Sequence, residues 1–126
     1  MNIGSIASSA LNAFGVEMMV HANNIANVNT PGFKFQNVTL IPGPHDQGVQ
    51  VGSIYHDTTP GSPRPSAITM NDLGRETLAF SHLEGSNTNM AMEFVRMTSA
   101  QRAFEANAAV IRTYDDISGT VLDLKV

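Results

Sequence analysis

The sequence predicts a mainly α protein in which two long terminal helices pack as an antiparallel, coiled-coil-like hairpin, with a small β or loop segment between them. Apolar residues recur at helical spacing near both ends of the chain. All six prolines and most glycines fall within residues 29–86. We therefore divide the 126 residues into an N-terminal helix (1–28), a loop and short-strand segment (29–86) and a long C-terminal helix (87–126) that forms one structural unit with the first.

The N-terminal helix is predicted from one apolar stripe with steps of three and four residues. Its members are Ile3, Ala7, Ala10, Phe14, Met18, His21 and Ile25. The helix should end near Asn27, because Asn tolerates the left-handed backbone of a helix cap. Thr30 precedes proline and is therefore biased towards extended backbone, and Pro31-Gly32 suits the central positions of a type II turn.

The middle segment reads as short strands and loops. Phe33 and Phe35 alternate with polar neighbours, and Val49–Tyr55 is the best strand candidate. Thr77–Phe80 is a weaker candidate. The stretch Thr58–Ser66 contains three prolines and is expected to form an irregular connection.

The C-terminal helix is predicted from about Met90 to Leu124 and would be about 50 Å long at 1.5 Å per residue. A compact globule of this chain length has a diameter of only about 35 Å, so we expect an elongated molecule. Two stripes run along the helix. The first comprises Phe94, Met97, Gln101, Phe104, Ala108, Ile111, Asp115, Ser118 and Leu122, and the second comprises Ala103, Ala106, Val110, Tyr114, Ile117, Val121 and Leu124.

Both helices are expected to expose apolar surface that the chain itself is too short to cover. Glu17 is the only charge among residues 2–28, whereas a solvated helix normally carries several. Exposed apolar surface of this size usually marks an interface. The alternative is a helix buried within its own domain. If the interface is real, the terminal helices should be frayed in the free monomer.

Composition argues against several classes of partner. The formal net charge is -4, which disfavours a nucleic-acid binder. No apolar run approaches the roughly 20 residues of a membrane span, so no membrane insertion is expected. Residues 1–33 contain no Lys or Arg, so the basic region of a secretory signal peptide is missing. We expect a cytosolic chain, or one exported without a cleaved signal.

Catalytic and cofactor patterns are weak. The pairs His45-Asp46 and His56-Asp57 lack the close spacing of known metal ligands, and Ser8-Ser9 with His21 has no orienting acid. The sequence contains no phosphate-binding or dinucleotide fingerprint. We therefore predict no enzyme, no cofactor and no metal.

Two gapless motifs carry a resemblance to a known family. Residues 22–34, ANNIANVNTPGFK, resemble the N-terminal signature of bacterial flagellar rod and hook proteins. The run Glu84-Gly85-Ser86-Asn87-Thr88-Asn89, followed by Glu93-Phe94-Val95 and by residues 100–107, AQRAFEAN, resembles the C-terminal motif of the same family. The resemblance covers both termini, about half of the chain, and the short middle segment is most like that of proximal-rod proteins.

The resemblance implies a structural subunit of the flagellar basal-body rod, which assembles through its terminal helices into a helical axial tube and transmits torque. It also implies type III export without a cleaved signal peptide and a location in the periplasm-spanning basal body. The implied partners are other copies, other rod and hook proteins, the basal-body ring and the export gate. The alternatives are a helical adaptor that docks one partner, and a hook-like or distal-rod-like paralogue.

The residues expected to serve assembly lie in these two motifs and along the C-terminal helix. They are Asn23, Asn24, Ile25, Asn27, Asn29, Thr30, Pro31, Gly32, Phe33, Phe94, Met97, Gln101, Arg102, Phe104, Asn107, Ile111 and Leu122.

Particular roles are predicted for some of these residues. We expect Asn27 and Asn29 to cap the first helix and bond to its companion. Gln101 and Arg102 could bridge to the Asn residues or to a neighbouring subunit. The core should contain Phe94, Met97 and Phe104. Weak surface ion pairs are expected among Glu93, Arg96, Glu105 and Arg112.

Overall fold

The fold consists of two long helices joined by two β-hairpins. The computed structural model describes residues 2–72 and 75–124, and the surroundings of side chains in 2–66 and 83–124. In chain order the elements are α1 (Ile3–Ala26), β1 (Gln36–Pro42), β2 (Val49–His56), β3 (Pro63–Asp72), β4 (Arg75–Glu84) and α2 (Met90–Asp123). The prediction of a mainly helical protein with a small β middle segment is confirmed.

Helix α1 begins and ends close to where the sequence indicates. The side chain of Asn2 caps the first turn by accepting a hydrogen bond from the backbone N–H of Ser5, at 2.7 Å. The C-cap is Asn27, as expected, but its φ of -100° is not left-handed, which corrects the reason given for it. Beyond the helix, Gly32 has φ +70° and the N–H of Phe33 donates to the carbonyl of Thr30 at 3.2 Å. These features are those of the predicted type II turn.

The middle segment forms two separate two-stranded antiparallel sheets, β1–β2 and β3–β4. The strand predicted at Val49–Tyr55 is confirmed as β2, and Thr77–Phe80 lies inside β4. The prediction of an irregular connection over Thr58–Ser66 extends too far, because β3 already begins at Pro63. Each strand of a two-stranded sheet has one unpaired edge, so proline can be accommodated without losing a ladder hydrogen bond.

Helices α1 and α2 pack against each other in antiparallel directions. Gly4, at the start of α1, lies against the ring of Tyr114, whereas His21, near the end of α1, contacts Glu93 at the start of α2. The buried apolar residues of the two helices are all small or medium-sized: Ala7, Ala10, Ala13, Val20 and Ala100. Small side chains allow the two helix backbones to approach closely.

The outer side of α2 remains exposed. Val95 is 68% exposed and Leu124 is 81% exposed. Phe94, predicted to lie in the core, is 47% exposed, because the side of α2 that faces α1 passes through its neighbour Glu93 instead. Met97 and Phe104 are half-buried, in closer agreement with the prediction.

Within the described residues, α1 alone is long and apolar enough to cross a membrane by length and composition, with a mean hydropathy of 1.3 over an 18-residue window. The expectation that no segment reaches this threshold therefore does not hold. Glu17 is its one charged residue apart from His21, and its Ser residues lower the mean hydropathy only slightly. Core helices of water-soluble proteins pass the same test, and α1 buries His21 and Asn24 against the rest of the chain.

Candidate functional site

A buried polar cluster lies where the end of α1, the start of α2 and the start of β1 meet. We call it the Glu93 cluster, and it comprises His21, Asn24, Glu93 and Arg96. Glu93 is 2% exposed, His21 3% and Asn24 0%, so three polar side chains are almost completely removed from water. A buried carboxylate is strongly unfavourable unless it is paired and hydrogen-bonded. The geometry around Glu93 meets that requirement.

Both oxygens of the Glu93 carboxylate accept hydrogen bonds. Oε2 accepts from His21 Nδ1 at 2.7 Å and from Asn24 Nδ2 at 2.8 Å. Oε1 accepts from Arg96 Nη1 at 3.2 Å, and the Arg96 side chain extends to partly exposed surface. Because an ionised carboxylate can only accept, the imidazole of His21 carries a proton on Nδ1. Its Nε2 is buried without a hydrogen-bond partner among the described residues, 3.7 Å from Glu17 Oε1.

Asn24 and Arg96 join β1 to this helix pair. Asn24 Nδ2 donates to the carbonyl of Gln36, and the N–H of Gln36 donates to Asn24 Oδ1, both at 2.8 Å. The Asn24 amide therefore pairs with the Gln36 backbone much as a neighbouring strand would. Arg96 Nη1 also donates to Asn37 Oδ1 at 3.3 Å. The cluster fixes the first hairpin and the two helices in one arrangement.

A second polar centre forms around Asn87, just before α2. Its Oδ1 accepts from the N–H of Phe35 at 2.8 Å, and its Nδ2 donates to the carbonyls of Thr59 and Asp57 at 2.9 and 3.2 Å. One amide therefore links three segments that are distant in sequence. Asn87 lies in the predicted C-terminal motif, but no local pattern in the sequence indicates this role.

Two carboxylates near Asn87 are stabilised in their ionised form. Hydrogen bonds from the side chain and the backbone N–H of Thr59 hold the pKa of Asp57 below its ordinary value. The hydrogen bond from Lys34, followed by that from the N–H of Gly61, lowers the pKa of Glu84. Lys34 also donates to the carbonyl of Thr59 at 2.8 Å. These bonds fasten the segments between the hairpins to the chain before α2.

The predicted Asn residues do not act as one cluster. Asn24 is buried, whereas Asn27 Nδ2 donates to the carbonyl of Asn23 at 3.0 Å on the outside of α1. Asn29 Oδ1 accepts from Arg64 at 2.9 Å. The expected capping role fits Asn27, but neither Asn27 nor Asn29 bonds to α2, because both lie beyond the contact between the helices. Thr30 Oγ1 donates to Asn27 Oδ1 at 3.0 Å and supports the turn.

The other N-terminal motif residues lie in or beside this turn. Ile25 and Phe33 are half-buried, and Pro31 and Gly32 are exposed. The N–H of Gly32 donates to the carbonyl of Glu84 at 2.8 Å. The turn therefore connects the end of α1 to the end of β4.

The motif residues on α2 divide between its two sides. Those half-buried towards α1 are Met97, Phe104, Asn107 and Ile111, and those exposed are Phe94, Gln101, Arg102 and Leu122. Gln101 donates to Glu105 at 2.9 Å instead of reaching the Asn residues, and Asn107 donates to the carbonyl of Ala103 at 2.8 Å. Gln101 lies about two turns past Glu93, too far along the helix to reach Asn24.

The predicted surface pair of Glu93 and Arg96 is corrected by the structure, because Glu93 is buried. Their spacing of three residues is common on exposed helix faces, which explains the error. A signal was available, since Glu93 continues the three- and four-residue steps of Met97, Ala100 and Phe104 on the side that faces α1. A charged residue whose position continues the packed face of a helix indicates a buried polar contact.

Residues considered as metal ligands are scattered. His45 and Asp46 are exposed and lie in a short 3-10 turn between β1 and β2, both with positive φ. His56 ends β2 and Asp57 follows it. Among the described side chains, those of residues 2–66 and 83–124, no group of three or more His, Asp or Glu is placed to hold a metal ion.

Comparison with known families identifies both ends of the chain. The family described as "Flagella basal body rod protein" matches residues 5–34, and "Flagellar basal body rod FlgEFG protein C-terminal" matches residues 81–124. The first match contains α1 from its third residue onwards with the turn after it, and the second contains α2. The two matches therefore include all members of the Glu93 cluster.

Individual relatives are likewise flagellar rod and hook proteins. The chain is 32% identical over 123 residues to the flagellar basal-body rod protein FlgG of Buchnera aphidicola, covering 92% of this chain and 47% of that protein. It is 31% identical over 137 aligned positions to the flagellar basal-body rod protein FlgC of Borreliella burgdorferi, covering 86% of both. A match to the hook protein FlgE of Helicobacter pylori, 31% identical, covers 70% of this chain and 12% of that protein.

The coverage distinguishes these relatives. The chain spans about half of the FlgG relative and most of the FlgC relative, which confirms the resemblance to proximal-rod proteins. The relatives are structural proteins of a family not known for enzymatic activity, and the prediction that the chain is not an enzyme is confirmed on that ground. The chain belongs to the family of flagellar basal-body rod proteins.

Proposed function

We propose that this chain is a structural subunit of the flagellar rod that assembles through α1 and α2 into a helical axial tube and transmits torque. Family membership supports the structural role. The observation that carries the assembly is the exposed apolar side of α2. The helix buries one side against α1 and leaves a second apolar side uncovered.

The uncovered side is a stripe along α2 whose large apolar residues lie near the start of the helix and in its second half. Its apolar members are Val95, Val110, Ile117, Val121 and Leu124, all exposed. At 3.6 residues per turn these positions fall on one side of the helix, with the small residues Ser99, Ala106 and Thr113 between them. Soluble monomers rarely expose long apolar surfaces, which usually mark interfaces. We call this surface the outer stripe of α2.

The side of α2 that faces α1 supports a stiff, elongated, coiled-coil-like hairpin. Its buried and half-buried positions are Met97, Ala100, Phe104, Asn107, Ile111, Tyr114 and Ser118, which alternate steps of three and four residues. Helix α2 has 34 residues and α1 has 24, so α2 is longer by about 15 Å. The Glu93 cluster resists sliding of the two helices, which a subunit under torque requires.

The proposed partners are other copies of the chain, other rod and hook proteins, the basal-body ring and the export gate. The names of the rod and hook relatives support the axial partners. The proposed location is the periplasm-spanning basal body, reached by type III export without a cleaved signal peptide.

Sedimentation velocity over a wide range of concentrations, with circular dichroism on the same samples, tests the assembly. We expect open-ended growth, and Ile117→Asp should suppress it by placing a charge in the outer stripe. Thr39→Asp, on the exposed side of β1, is the matched control and should leave growth unchanged. A fully helical chain that remains monomeric at every concentration would contradict the proposal and favour an adaptor that docks one partner.

A further inference from the structure

Two hydrogen-bond acceptors face each other on α1 beside the Glu93 cluster. A spacing of four residues puts Glu17 and His21 one turn apart on the same side of the helix. His21 Nδ1 donates to Glu93, so in the neutral imidazole Nε2 carries a lone pair instead of a proton. That nitrogen lies 3.7 Å from Glu17 Oε1 and has no hydrogen-bond partner among the described residues. A cation between the two atoms would satisfy both.

The separation of the two acceptors suits a metal ion better than a proton. N–H···O bonds rarely exceed about 3.2 Å, so a proton on His21 Nε2 would form only a long contact with Glu17 in this arrangement. A zinc ion lies about 2.0–2.2 Å from its nitrogen and oxygen ligands, and two such ligands 3.7 Å apart subtend an angle of about 125° at the metal. That angle is close to tetrahedral, so small side-chain adjustments allow both residues to bind one ion.

The surroundings of the imidazole are those of a metal ligand. Histidine ligands usually donate their second ring N–H to a carboxylate, which fixes the ring and makes the ligating nitrogen more basic. Glu93 holds His21 in this way at 2.7 Å. The His21 side chain is 3% exposed and therefore already ordered, whereas Glu17 is 25% exposed and places the pair within reach of solvent.

The charges around the pair favour a cation. Two carboxylates and one guanidinium lie next to the imidazole or its hydrogen-bond partner, those of Glu17, Glu93 and Arg96. Strand β1, which packs beside them, adds no charge, because Gln36–Pro42 contains no ionisable residue. An imidazole together with a carboxylate is typical of Zn²⁺, whereas Mg²⁺ and Ca²⁺ prefer oxygen ligands alone.

We propose that Glu17 Oε1 and His21 Nε2 bind Zn²⁺, with Glu93 as a positioning residue and water in the remaining coordination positions. This site goes beyond the proposed rod function and does not depend on it. Its two protein ligands are fewer than the four of a structural zinc site, so we expect a dissociation constant of about 1–100 µM. Bound zinc holds the imidazole against Glu93 and strengthens the contact between α1 and α2.

Calorimetric titration of the full chain with ZnCl₂ tests the site. Glu17→Gln removes a charged ligand that is not fully buried, and it should weaken binding by about tenfold or more while the chain stays folded. Glu105→Gln, at an exposed glutamate of α2, is the matched control and should leave the affinity unchanged. A chain in which the other histidines, His45, His56 and His82, are all replaced by Gln should still bind zinc.

Three results of the titration would overturn the proposal. They are no binding up to about 1 mM Zn²⁺, equal affinity of Glu17→Gln and the parent chain, and loss of binding when the other histidines are replaced. None of these results depends on self-association, so each would leave the rod proposal standing.

Nitrogen-15 spectra of the histidine rings identify the ligand atom without any substitution. Zinc should shift the Nε2 signal of His21, whereas the Nδ1–H should remain in place on Glu93. If Nε2 responds to pH but not to zinc, it accepts a proton only and the proposal fails. In urea unfolding, zinc at about one hundred times its dissociation constant should raise the folding equilibrium constant about a hundredfold, and Glu17→Gln should lose most of that gain. A urea midpoint that zinc does not change would also contradict the site.

Discussion

Removing the carboxylate of the Glu93 cluster should destabilise the hairpin strongly. Glu93→Ala deletes the acceptor of His21 Nδ1, weakens the support of Asn24 and leaves Arg96 without its carboxylate. Breaking a buried ion pair by removing one partner costs about 3–5 kcal/mol. We expect the free energy of unfolding to fall by about that amount, which is a large fraction of the total for a single domain.

Urea unfolding followed by circular dichroism at 222 nm measures this loss. For a slope of about 2 kcal/mol per molar urea, the midpoint should fall by roughly 2 M. The matched control is Glu105→Ala, an exposed glutamate on the same helix that accepts from Gln101 alone among the hydrogen bonds of the described residues. Its effect should stay within about 0.5 kcal/mol.

A third variant separates charge from shape. Glu93→Gln keeps an oxygen for His21 but presents an amide N–H₂ to Arg96, so two donors face each other. We expect a loss between those of the control and Glu93→Ala. If Glu93→Ala costs no more than Glu105→Ala, the cluster does not stabilise the hairpin and the reasoning fails.

Three further predictions concern the turn and the segments before α2. Gly32→Ala should lower the free energy of unfolding by about 1 kcal/mol or more, because Gly32 has φ +70°, which alanine adopts only with strain. The control, Gly15→Ala in the interior of α1, should stabilise the chain, because an added Cβ there meets open space. Equal effects of the two changes in urea unfolding would contradict this prediction. Asn87→Ala should cost about 1–3 kcal/mol, because it leaves backbone groups of two other segments without their partner, and a loss below 0.5 kcal/mol would refute that role. Folding lowers the pKa values of Asp57 and Glu84, so their contribution to stability is complete above the ordinary values of 3.8 and 4.5 and is lost as the pH falls through the folded-state values. The urea midpoint should therefore decrease below about pH 4.5. A midpoint that does not change between pH 6 and pH 3 would contradict this prediction.

The elements that repeat a local pattern were predictable from the sequence. The three- and four-residue spacing gave both helices, and α2 begins at Met90 as expected. Pro31-Gly32 gave the turn because proline fixes φ and glycine accepts a positive φ. Each of these signals depends on neighbours along the chain, so it can be read without knowing the tertiary structure.

The features that depend on distant contacts were not predictable in the same way. Glu93 pairs with residues about seventy positions earlier, and nothing local distinguishes it from a surface glutamate. The size and apolar character of Phe94 predict a core residue, but the side of α2 that faces α1 runs through its neighbour Glu93. Asn87 satisfies backbone groups of segments whose proximity exists only in the folded chain.

The Glu93 cluster also explains how a contact whose fully buried apolar residues are mostly alanine can have one register. Ala7, Ala10, Ala13 and Ala100 are buried, and side chains this small specify register only weakly. A slide of one heptad would separate Glu93 from His21 and leave a buried carboxylate without that partner. A polar group at a core position of a helix pair is the best-attested means of specifying register. The inner side of α2 is therefore specified for α1 by its polar end, while the outer stripe remains available for a contact of a different kind.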